Sequence, residues 1–206
     1  MLKTLRFLMI AIMLLLAAAV AALFWTRSNG LLPGLDNQFN ANQGPLRFGE
    51  PFSLVSHTGE PITDAAMKGK PVAVFFGFTS CPEVCPTTLY DVDRWMDLAD
   101  PSGTELEGFF VTIDPERDDP EILNSYVTYF SDRITGITGE PDKVWALADS
   151  WAVAYEKRYY SDDPADGYDI NHTASVFLVD AKGNFRGTIS YGASDDIAVG
   201  KLRNLL

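Results

Sequence analysis

The chain is poor in the residues that most often bind metals or carry covalent chemistry. It has two cysteines, two histidines and five methionines among 206 residues. Two cysteines allow one bridge at most, so a stapled disulfide framework is excluded. Basic residues are also scarce, with 16 Lys and Arg against 28 Asp and Glu and a net charge of −12. That balance excludes nucleic acid as an expected partner and leaves a basic protein surface or a cation. There is no internal repeat and no low-complexity tract, and the length suits one domain with appendages.

Long apolar runs are absent except for one, Phe7 to Phe24, which carries no charge. It is about as long as a membrane span requires. Lys3 and Arg6 precede it, Trp25 and Arg27 follow, and the basic flank keeps the start cytoplasmic while the rest is exported. The small residues of AAAVAA offer a cleaved signal peptide as the alternative, but the run exceeds a usual signal core of about 7–15 residues. A retained single-pass anchor over 1–27 is therefore expected, in the cell inner membrane with the soluble part on the periplasmic side. Residues 1–27 hold three basic and no acidic residues; the remainder has 13 basic against 28 acidic, a net of −15. Residues 28–49, rich in Asn, Gly, Gln and Pro, read as a flexible tether, and 50–206 as one domain.

Both cysteines, Cys81 and Cys85, lie in FFGFTSCPEVCPTT at the end of an apolar run. If Cys85 begins a helix, as Pro86 in a first turn suggests, the spacing of four puts both side chains on one face of that turn. A helix start lowers the pKa of a thiolate. Outside the cytoplasm the bland expectation for two cysteines is a structural bridge. So small a loop restricts the unfolded chain little, which weakens that expectation. The pair can close a redox disulfide, or hold a soft ion, Cu(I) or Zn(II).

The elements around it follow from pattern. Residues 50–61 suggest an opening hairpin with His57 exposed at its turn; 72–78 and 106–114 read as buried strands joined by a helix on Leu89, Val92, Met96 and Ala99. Asp119 and Pro120 suit a helix start running to Phe130, residues 134–137 a short strand, and 141–155 a third helix. Residues 159–171, rich in turn formers, read as irregular. A hairpin follows at 173–180 and 185–191, with His172 in the loop before it and a short last helix from Ser194. A parallel unit, a terminal antiparallel hairpin and cysteines where the first strand meets its helix give an α/β, thioredoxin-like fold with a central mixed sheet and an N-terminal hairpin extension.

The segments GKPVAVFFGFTSCPEVCPTTL, VTIDPERDDPEILNSYVTYF, ITGITG and INHTASVFLVDAKGNF, with the anchor before them, resemble the Sco/SenC family of membrane-anchored copper chaperones. The resemblance covers roughly residues 49–206 and implies copper held by Cys81, Cys85 and His172. It also implies maturation of the dinuclear copper site of cytochrome c oxidase, by delivering copper or by reducing the recipient's cysteines. The implied partners are the oxidase's copper-bearing subunit, a copper donor and an extracytoplasmic thiol reductant. Two departures from the family pattern stand out: Glu83 stands where Asp is frequent, and Ile170-Asn171 where Val-Asp is frequent.

The donor chemistry agrees, since two thiolates and an imidazole suit three-coordinate Cu(I), whereas structural zinc wants a fourth protein ligand. Met67 and Met96, the only methionines beyond the anchor, read as packing residues. Asp114, Glu116 and Asp118 follow the second strand's end and are candidates for supporting the site. The rival readings are a thiol–disulfide oxidoreductase that carries no copper and an interaction domain with an inert bridge. A peroxiredoxin is disfavoured, because PxxxTxxC would need Pro and Thr where Val74 and Phe78 stand.

Overall fold

The computed structural model describes residues 49–206 together with Met13. Apart from Met13 the expected anchor, and apart from Gly49 the expected tether, lie outside the described residues. Among the described residues no helix is long and apolar enough to cross a membrane.

A hairpin opens the fold, β1 (Ser53–Ser56) and β2 (Pro61–Thr63), followed by β3 (Val72–Gly77), α1 (Val84–Ala99) and β4 (Glu107–Thr112). Next come α2 (Pro120–Phe130), β5 (Ile134–Thr138), α3 (Pro141–Ser150), β6 (Tyr155–Tyr159) and β7 (Tyr168–His172). The chain ends with β8 (Ser175–Val179), β9 (Phe185–Ser190) and α4 (Asp195–Arg203). Seven strands form one mixed sheet in the order β2-β1-β5-β4-β3-β8-β9, while β6 and β7 pair separately. Neighbours β3, β4 and β5 run parallel, and β8 pairs antiparallel to β3.

Every residue of β3 is buried, as its unbroken apolar character requires of a strand covered on both faces. Phe75 lies against Phe110 at 6.1 Å. One residue on, Phe76 points the opposite way and meets Trp151 at 5.6 Å and Phe177 at 5.7 Å. Burying each such ring contributes about 1.5–3 kcal/mol, and their mutual contacts about 0.5–1.5 kcal/mol more. Burial rather than ring geometry therefore dominates. The α1 face predicted from Leu89, Val92, Met96 and Ala99 is buried, with Trp95 beside it. Asp119 caps α2 by accepting from the Ile122 amide at 2.8 Å, with Pro120 first in the helix.

Three expectations are corrected. The third helix stops at Ser150 rather than 155, because Ala152 takes a left-handed φ of 54°. The Ala152 amide donates to the Asp149 carbonyl and the Val153 amide to that of Ala148, a helix-ending motif that usually uses glycine. The stretch read as irregular instead supplies β7, paired with Tyr155–Tyr159 and closed by a turn that Asp163 caps. Of β7 only Ile170 is fully buried and of β6 no residue is, so no apolar alternation marked this ribbon. His57 is partly buried: its Nδ1 accepts from the Gly136 amide at 3.0 Å, tying the opening hairpin to β5.

Gly77 ends β3 where a side chain has no room. A Cβ there would lie 2.7 Å from the Cys85 sulfur and 2.8 Å from the Phe110 ring. Gly77→Ala is expected to cost about 1–3 kcal/mol through overpacking. Urea unfolding of the reduced protein checks this, and an unchanged midpoint would contradict it.

Candidate metal centre

Past β3 the chain leaves the sheet through Phe78 and Thr79 to Cys81, then enters α1 at Val84. Glu83 is the cap residue but makes no side-chain capping bond. The Cys81 sulfur fills that role, accepting from the Cys85 amide at 3.4 Å, one of the free donors that every helix start leaves. Cys81 thus precedes the helix instead of sharing its first turn, and the spacing of four works through this cap. Cys85, second in the helix, is fully buried with its sulfur over Gly77. Both are free thiols and Cys81 is half-buried.

His172 is the last residue of β7, not a loop residue, and Thr173 and Ala174 carry the chain on into β8. Its ring rests against Phe75 at 6.0 Å and Phe78 at 5.8 Å. Nδ1 lies 3.0 Å from the Thr173 carbonyl. A carbonyl can only accept, so Nδ1 carries a proton, and Nε2 is the ring atom turned to the sulfurs. Nε2 lies 3.5 Å from the Cys85 sulfur. The donor atoms of Cys81, Cys85 and His172 fall within 4.8 Å of one another, the one such grouping of ligating side chains among the described residues. His57 is not part of it, so among the described residues no fourth protein ligand of the usual zinc type joins the three.

Residues 40–206 match the SCO1/SenC family model. The chain belongs to the SCO1/SenC family. The human mitochondrial SCO1 homologue is 36% identical over 156 residues, covering 73% of this chain and 50% of the human one. A SCO2-like protein of Rickettsia prowazekii is 31% identical over 151 residues, 73% of each chain. Among solved structures, ScoI of Bradyrhizobium japonicum with copper bound superposes with a TM-score of 0.69 at 31% identity. That match covers 77% of this chain and 99% of the other. ScoI of Arabidopsis thaliana with copper bound gives 0.68 at 30%, covering 76% and 99%. The fold is that of these Sco structures, the mixed sheet with its helices.

In this SCO1/SenC chain the two sulfurs are electrostatically unequal. A hydrogen bond from Cys85 is the largest cause pulling the Cys81 pKa from 9.0 to about 4; His172 and the Cys85 and Glu83 amides add to it, against burial. Burial first, then the Cys81 sulfur beside it, pushes the Cys85 thiol well up. One proton therefore stays on the inner sulfur while the outer one is a thiolate.

The segment Asp114–Asp118 steadies both halves of the site. The Asp118 carboxylate, with no exposed surface, accepts from the Thr79 amide at 3.0 Å, the Thr79 hydroxyl at 2.6 Å and the Thr112 hydroxyl at 2.5 Å. This pins the turn two residues before Cys81 to the end of β4. Arg117 pairs with Asp114, donates to the Tyr168 carbonyl at 3.1 Å, and lies 3.9 Å from the Tyr168 ring and 5.9 Å from that of Phe78. It thereby joins β7, which carries His172, to the cysteine turn. Glu116 faces Lys157 at 2.6 Å. None of the three acids is a donor in the Cys-Cys-His group; Asp118 alone reaches the cysteine turn directly. Gly77 and Arg117 were not singled out from the sequence, although Gly77 closing an otherwise large apolar run was a readable signal.

Because folding depresses the Cys81 pKa, the thiolate's contribution to stability is fully present above about pH 9 and is lost as pH falls through about 4. Iodoacetamide labelling of the reduced native protein, followed by mass spectrometry, is expected to modify Cys81 with a midpoint near 4 and to leave Cys85 unmodified. A midpoint near 9 would contradict the assignment.

Proposed function

We propose that this protein carries copper to the dinuclear copper site of cytochrome c oxidase, with Cys81, Cys85 and His172 as its ligands. The observation that carries the reading is the convergence of two sulfurs and an imidazole nitrogen within 4.8 Å. That soft donor set suits Cu(I), and Cu(II) in an oxidised state. Two similar proteins were solved with copper bound, which supports copper as the cargo here. Cys81, half-exposed and already a thiolate, makes the first contact with incoming or outgoing metal. Cys85 loses its proton as it ligates, because only a thiolate binds. The chemistry sits outside the cytoplasm, held to the inner membrane by residues 1–27. A copper donor, a thiol reductant and the oxidase's copper-bearing subunit are its partners.

The unequal sulfurs favour a second reading, a thiol–disulfide oxidoreductase acting on the same recipient. Cys81 thiolate attacks a recipient disulfide and releases one recipient thiolate. Cys85, deprotonated, then attacks the Cys81 sulfur of the mixed disulfide and releases the second. The recipient gains two electrons and this pair becomes a disulfide, which the partner reductant reopens. Only the copper reading requires His172.

An anaerobic Cu(I) titration of the full-length reduced protein against a competing chelator separates the two. One tight equivalent is expected, weakened at least about tenfold, or about 1.4 kcal/mol, in each of Cys81→Ser, Cys85→Ser and His172→Ala. Absence of tight binding in the unsubstituted protein would sink the copper reading and leave the reductase.

A further inference from the structure

A ligand at the end of a strand is placed only as well as the strand is held, and β7 has little apolar surface to hold it. Of the β6–β7 ribbon only Ile170 is fully buried, and a two-stranded ribbon is marginal by itself. Apolar burial keeps such a ribbon against the body without fixing its angle, because it is non-directional. Beyond His172, Thr173 and Ala174 lead straight into β8 of the main sheet, so that end of β7 is fixed. The other end is Tyr168. Alternation along the strand puts Tyr168, Ile170 and His172 on one face, and four residues, about 13 Å, separate the tyrosine from the histidine.

Tyr168 is gripped twice by one ion pair. The buried Asp114 carboxylate accepts from the Tyr168 hydroxyl at 2.7 Å on one oxygen and from Arg117 on the other. Arg117 returns to the main chain of the same tyrosine, donating to its carbonyl at 3.1 Å with the guanidinium 3.9 Å from the ring. Lys157 of β6 lies 4.6 Å from that ring and 5.6 Å from the ring of Trp145, whose indole donates to the Ile113 carbonyl at 3.2 Å. Hydroxyl, ring and carbonyl are therefore all tied to the loop after β4, the loop that also pins the cysteine turn. A strand fixed only at Thr173 can pivot there; fixed at Tyr168 as well, it cannot. We propose, resting on the copper reading above, that Tyr168 is a positioning residue of the metal centre: it latches β7 to the loop after β4 and so holds the His172 ring toward the two sulfurs. Contacts that orient a ligating histidine are worth about 10–100-fold in metal affinity.

The test uses the full-length reduced protein with Tyr168→Phe, which removes only the hydroxyl, and Tyr168→Ala, which removes the ring as well. The first readout needs no metal: the rate at which diethylpyrocarbonate acylates His172, resolved from His57 by peptide mass spectrometry. His172 is expected to react several-fold faster in Tyr168→Ala and less so in Tyr168→Phe, with His57 unchanged. The second readout is Cu(I) affinity by chelator competition, expected about tenfold weaker in Tyr168→Ala, with no further loss when Tyr168→Ala is added to His172→Ala. A tyrosine that merely supports the fold would weaken binding in that background too, or raise the His57 rate along with that of His172, and either result overturns the latch. An unchanged His172 rate in both variants also overturns it. If Tyr168→Ala does not fold, Tyr168→Phe decides by the same two readouts. No tight Cu(I) binding in the unsubstituted protein sinks the copper reading, while the acylation rates still decide whether Tyr168 places His172.

Discussion

The site depends on a carboxylate without water. Asp118 has no exposed surface, and burial raises its pKa against the three hydrogen bonds that hold it ionised. Such a group is tolerated only because the Thr79 amide and hydroxyl and the Thr112 hydroxyl converge on it. Those donors belong to the cysteine turn and the end of β4, so satisfying one buried acid fixes the turn that presents Cys81. The Asp118 carbonyl also accepts from Thr138 at 2.6 Å, which extends the hold to β5. A neighbour in sequence, Arg117, performs the corresponding task for β7 and hence for His172. A single short loop after β4 therefore sets the distance between two thiols and an imidazole that are far apart in sequence.

The asymmetry of the sulfurs follows from the same placement. Cys81 stands before α1, where helix amides and the Cys85 thiol point at it. Cys85 stands second in the helix, fully buried over Gly77, where charge is disfavoured. An outer thiolate and an inner thiol serve metal capture and thiol exchange equally well, which is why the two functional readings share both cysteines. They diverge at His172, whose Nδ1 is committed to the Thr173 carbonyl so that Nε2 faces the sulfurs.

Much of this was legible in the residues. The unbroken apolar runs of β3 and β4, the periodic face of α1 and the Asp119-Pro120 start of α2 are local signals, and each element lies close to where its pattern indicates. The terminal hairpin was equally plain. The ribbon β6–β7 was not, because its strands are largely exposed and polar and hold together by pairing across a turn. Its tyrosines, Tyr159 and Tyr168, meet across the strands at 5.6 Å, a relation that no window along the chain contains. The third helix was overextended for a related reason: alanine rarely takes the left-handed conformation that ends it.

The sequence by itself determined the α/β class, the order of the main elements, the cysteine pair at a strand-to-helix junction and the family, because hydrophobic period, turn chemistry and motif spacing are local properties. Only the tertiary structure decided that Cys81 caps the helix rather than sharing its first turn, that His172 ends a strand, and that Gly77, Asp118 and Arg117 surround the site. Each of those facts depends on a contact between residues distant in the chain. Such contacts are chosen by the need to satisfy buried donors and to fill space across the sheet, and that need exists only once the chain has closed on itself.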